Sequence, residues 1–127
     1  MRSDFRLAAL LALAGAAVPM IALAQSSLRV NDIHFIQAAA CQGLITSPDL
    51  PPMDPTAINR FMDLESAGRP TAILDQAETR RQDAKREAAT ASPEKRASLI
   101  AQRDAPTCRR YVEMGAHAVG AQLSGEP

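Results

Sequence analysis

The sequence predicts an all-α fold, a small bundle of four to five helices with one disulfide joining the first helix to the last. Three observations carry that expectation. No stretch alternates apolar and polar residues long enough to argue a strand, whereas apolar residues recur at helical spacing in several segments. Two cap-then-proline signals, Asp54-Pro55 and Ser92-Pro93, mark helix starts. The only cysteines, Cys41 and Cys108, are far apart in a segment that reads as exported.

Residues 1–24 are set apart before any fold reasoning. Arg2 and Arg6 face a lone Asp4, an apolar run begins at Leu7, and Ala22-Leu23-Ala24 places small residues where a signal peptidase reads. The pattern predicts a cleaved Sec-type signal peptide over residues 1–24 and a single helical domain over residues 25–127. A membrane anchor over the same run is the weaker reading, because Gly15 and Pro19 interrupt it and no basic flank succeeds it. No cysteine adjoins the cleavage point, which argues against a lipoprotein. No Arg-Arg pair precedes the run, which argues against export in a prefolded, cofactor-loaded state.

The first helix is expected from Asn31 or Asp32 as N-cap to about Gly43–Ser47, with Ile33, Ile36, Ala40 and Leu44 as its inward stripe. Four prolines in "TSPDLPPMDP" exclude a regular element and predict a stiff extended connector. Asp54-Pro55 opens a second helix with Ile58, Phe61, Met62 and Glu65 on one face, and Gly68 is placed to stop it. Pro70 opens a third, whose thin stripe is Ile73, Ala77, Ala84, Ala88 and Ala91. Glu78–Arg81 and Asp83–Arg86 are spaced to support it as ion pairs. Ser92-Pro93-Glu94 opens a fourth with Leu99 and Ile100 inward. Pro106 breaks it, and Asp104 is available to cap the next helix. The last helix, from about Thr107 to Leu123, carries the stripe Cys108, Tyr111, Val112, Gly115, Val119 and Leu123, where Gly115 lets another backbone approach.

In an exported chain an even cysteine count points to a bridge. A Cys41–Cys108 bond would contribute roughly 4.4 kcal/mol in the chain-entropy account. That matters in a core with only Phe35, Phe61 and Tyr111 as aromatics. Redox pairs and covalent haem sites need Cys-x-x-Cys, which is absent. His34, Cys41 and Cys108 form a conceivable metal set but lack the close ligand spacing of a structural zinc site.

Taking Arg2, Arg6 and Asp4 from the 14 basic and 14 acidic side chains leaves 12 and 13, a balance that argues against nucleic acid as a partner. No serine sits in a nucleophile elbow, no carboxylates cluster, and the glycines form no phosphate loop. His117 and Glu113 read as a surface pair. The expectation is therefore a chain without catalysis, cofactor, metal or small-molecule substrate of its own. It would be an exported accessory, assembly or stabilising subunit of a larger periplasmic or membrane-associated complex, by class analogy with small subunits of exported respiratory dehydrogenases. The location would be periplasmic or secreted, peripheral to a membrane only through the partner. The alternative is a free-standing periplasmic chaperone, stress protein or enzyme inhibitor. The contact residues would be the loop Leu50, Pro51, Pro52 and Met53 together with Arg80, Arg81, Arg109 and Arg110. The charged third helix reads as a solvated face or, alternatively, a docking arm.

Overall fold

The computed structural model describes residues 29–123, so the signal-peptide expectation and the start of the domain at Gln25 lie outside the described residues. Among the described residues five helices succeed one another in order: α1 Asp32–Ile45, α2 Thr56–Ser66, α3 Thr71–Ala89, α4 Pro93–Asp104 and α5 Pro106–Leu123. Among the described residues there is no strand, and no helix is long and apolar enough to cross a membrane.

The helix starts are where the capping chemistry puts them. Asn31 Oδ1 accepts from the His34 amide at 2.9 Å, and Ser92 Oγ accepts from the Lys95 amide at 3.2 Å. Asp54 Oδ1 accepts from both the amide (2.9 Å) and the hydroxyl (2.7 Å) of Thr56. Pro55, already in the right-handed helical region, contributes the first turn's carbonyl to Asn59. Gly68, at φ 75°, takes the left-handed turn that ends α2. The proline-rich connector is not extended throughout: Pro48–Leu50 turn and bend, with Ser47 Oγ accepting from the Asp49 amide, and residues 51–55 form no regular element. Asp104 does not cap α5; it ends α4, and its carboxylate takes a hydrogen bond from Arg103 Nε at 3.2 Å.

The helices pack in interleaved pairs. α1 lies mainly on α3 and α2 mainly on α5, while α1 also touches α2, α4 and α5. One core cluster gathers Phe35, Ala38 and Ala39 of α1 with Ile58, Phe61 and Met62 of α2 and Tyr111 of α5. A second joins Leu44, Leu50, Ala84, Ala88 and Leu99. Two glycines set how closely the pairs approach. A Cβ on Gly115 would fall 2.6 Å from the carbonyl carbon of Ala57, and one on Gly43 would fall 2.9 Å from Ala84 Cβ. Backbone therefore lies against backbone in both pairs.

The inward stripe expected on α1 is a correction. Ile33 is 77% exposed, Ile36 and Ala40 are only half-buried, and the buried face is Phe35, Ala38, Ala39, Cys41, Gly43, Leu44 and Ile45. A helix that touches four others is apolar nearly all round, and its sequence then carries no clear phase. On α5 the stripe holds from Cys108 through Gly115, then surfaces: Leu123 is 84% exposed.

Cys41 and Cys108 are bonded, with Cα atoms 5.5 Å apart, joining the first helix to the last as the spacing implied. A disulfide of this kind belongs to an oxidising, exported compartment. A second tie is ionic. The Arg69 side chain, 5% exposed, pairs with Asp32 (2.6 Å) and Glu65 (2.8 Å). It also donates to the Val30 and Glu65 carbonyls and lies 4.4 Å over the Phe35 ring. One guanidinium thus fastens the entry to α1 onto the end of α2.

Candidate functional site

The side of α1 that no helix covers forms the floor of a groove. Ile33, Ile36 and Ala40 line it from α1, Arg80 from α3 and Ala105 from the α4–α5 joint, with the disulfide beneath; its volume is about 410 Å³. Small residues make the depression: at Ala40 and Ala105 the walls lack side chains long enough to fill it. Gln37 and Thr107 also line a second, neighbouring cavity of about 430 Å³, walled by His34, Pro106 and Arg110.

The second cavity has a built polar wall. Tyr111 is fully buried, and its hydroxyl donates to Gln37 Oε1 at 2.9 Å and lies 3.1 Å from His34 Nδ1. With the phenol proton committed to Gln37, His34 Nδ1 carries the hydrogen and donates to Tyr111 Oη, an assignment made from the network. Arg110 Nη2, 3.5 Å from that nitrogen, is then a contact rather than a donor, and its guanidinium sits 5.4 Å from the Tyr111 ring centroid. This arrangement ties α1 to α5. It offers no nucleophile with an adjacent base, and no carboxylate lines either cavity.

The sequence-derived contact residues separate into groups. Leu50 is a correction: at 4% exposure it is a core residue packed with Leu44 and Leu99, not a surface contact. Pro51, Pro52 and Met53 are exposed but held down, because the Pro51 carbonyl accepts from buried Arg103 at 2.7 Å and the Asp49 carbonyl from Arg96. Arg81 is occupied, its guanidinium bonded through Nε and Nη2 to both oxygens of Glu78. Glu78 is held below its ordinary value of 4.5, first by those Arg81 hydrogen bonds and then by Gln82. Arg109 donates to the Asp104 carbonyl at 3.0 Å. Arg80 and Arg110 alone of the eight border the groove.

The metal reading of His34, Cys41 and Cys108 is overturned, since the two sulfurs are bonded to each other and neither is a thiolate. On α3 the expected Asp83–Arg86 pair forms at 2.5 Å. Ile33, Gln37, Ala105 and Thr107 join the site without having been expected there. The available signal was Phe35, the largest side chain of α1, which fixes the buried face and turns Ile33 outward. In comparison with known proteins, no family model matches the chain, and no curated protein or solved structure matches it significantly.

Proposed function

We propose that the chain is a non-catalytic exported accessory or assembly subunit that acts by docking onto a larger periplasmic or membrane-associated partner. The observation that carries this reading is the groove, an apolar floor left open along α1, the helix that every other helix touches. Its base is a covalent bond and its walls are cross-tied by Tyr111, His34 and Gln37. A rigid surface of this kind loses little entropy on association, which favours recognition over chemistry. The large exposed apolar side chains Ile33, Met53, Leu64 and Leu123 come from four different elements. Of these, only Ile33 lines the groove.

Native co-purification tests the reading. The chain is tagged after Pro127, isolated gently from periplasm and membranes of the source cells, and its companions are weighed for stoichiometry. A single larger partner at fixed ratio is the expected result. A lone oxidised monomer that suppresses the aggregation of unrelated clients, or blocks an exported enzyme, would replace this reading with the free-standing one.

A further inference from the structure

We infer that the groove over the disulfide receives an amphipathic segment of the partner polypeptide whose apolar side chains are flanked by carboxylates; this deepens the docking reading and rests on it. The argument is charge complementarity. Most arginines of the described residues are spent internally: Arg69, Arg81, Arg86 and Arg103 on carboxylates, Arg96 and Arg109 on backbone carbonyls. Arg80 and Arg110 are exposed and have neither kind of partner, and each lines one of two neighbouring cavities that share Gln37 and Thr107. Arg60 also lacks such a partner, its Nε being buried without one, but it lines neither cavity.

The surroundings give the occupant a direction. Outside Arg80 the surface of α3 turns acidic at Asp75, Asp83 and Glu87. Arg80 and Arg110 are the guanidinium groups that line the two cavities, no carboxylate lines either, and an occupant's carboxylates are drawn to those two rims. Between the rims, Ile33, Ile36 and Ala40 present apolar surface along one line of α1 at i, i+3 and i+7, the spacing that a second helix reads.

Site-directed photocrosslinking in the source cells tests this on the full chain. A benzophenone residue replaces Ile33, with Leu64 on α2 as the control position, and crosslinked peptides are sequenced by mass spectrometry. The expected product at position 33 is one partner peptide with apolar residues and carboxylates within a turn of each other. As a synthetic peptide it binds the oxidised protein, and R80E/R110E weakens that binding about tenfold or more while the helical content stays unchanged. Lysines in place of the peptide's carboxylates restore binding to R80E/R110E. If a stoichiometric partner co-purifies but crosslinks only through Leu64, or binds R80E/R110E as tightly, the groove assignment falls and the subunit reading stands. An adduct with the mass of a fatty acid or another small amphiphile overturns the polypeptide occupant. No partner by either route overturns both.

Discussion

Gly115→Ala probes a close backbone-to-backbone approach of two helices. Gly115 is buried on α5, and its α-carbon faces the Ala57 carbonyl of α2. An alanine Cβ there would lie 2.6 Å from that carbonyl carbon, nearer still to its oxygen, and 3.2 Å from Phe61 Cβ. Ordinary carbon contacts need about 3.5 Å and the oxygen is the tighter clash, so α5 and α2 must part by more than about 1 Å. The neighbours that lose contact are large and buried: Ile58, Phe61 and Tyr111, the last two with ring centroids 5.3 Å apart. Backbone against backbone cannot be relieved by a rotamer change, which puts the penalty near the upper end of the usual 1–3 kcal/mol for overpacking, about 3 kcal/mol. Alanine returns about 1 kcal/mol in helix propensity. The net is a loss of about 2 kcal/mol, a fall in Tm of about 10 °C for a domain this size. Gly120→Ala, on the same helix with nothing within 4 Å of the added carbon, should be neutral or stabilising by up to about 1 kcal/mol. Urea unfolding of both variants, tracked by circular dichroism with the disulfide intact, gives the comparison. Equal stability of the two variants would refute the close-packing argument.

Leu50→Ala should cost about 2–5 kcal/mol through the cavity it leaves beside Leu44 and Leu99, measured by chemical unfolding; a change under ~0.5 kcal/mol would return Leu50 to the surface. Arg69→Met removes the nearer cation from largely buried Glu65, leaving only Arg29 Nε at 3.9 Å, and strands the Val30 carbonyl, while the Glu65 carbonyl keeps Arg29. The expected loss is about 3–5 kcal/mol, toward the lower value because Asp32 is half exposed. A thermal scan showing an unchanged Tm would contradict it. The Asp54 carboxyl lies below its ordinary value of 3.8 because the Thr56 amide, and then the Thr56 hydroxyl, donate to it. A depressed folded pKa means that the cap's stabilisation is complete above the unfolded value of about 3.8 and is lost as pH falls through the lower folded value. An NMR titration of the Asp54 side-chain carbon should find its midpoint below 3.8, and a midpoint above that would show that the cap is not formed.

The parts of this fold legible in the sequence are those with local causes. Asn31, Asp54 and Ser92 bond to backbone two or three residues ahead, and Gly68 answers to its own dihedral angle, so each is visible in a short window. The disulfide was legible because only two cysteines exist and compartment decides their state. Other features depend on distant partners. Arg69 reaches Val30 across 39 positions and Arg103 reaches Pro51 across 52, and nothing beside them marks them as buried. Leu50 sits alone in a proline-rich connector, where an apolar residue reads equally as a contact or an anchor. The phase of α1 was lost because the consecutive small residues Ala38–Cys41 suit either face. The groove inherits that ambiguity, being the remainder of α1 after its four neighbours have taken their share.

The pairing of α1 with α3 and of α2 with α5 bears on how the chain reaches this state. In an up-and-down bundle consecutive helices zip as hairpins, each closing a short loop. Here each principal partnership skips at least one intervening helix, and α2 waits for the last helix in the order. Loop closure must be met before most of the core is gained, so the nucleus is non-local and folding is slower than helix content alone would suggest. Until α5 arrives, Cys41 remains an unpaired thiol and Phe61 has no Tyr111 to cover it. The interval between α2 and α5 is therefore when the chain is most open to wrong disulfides and to aggregation.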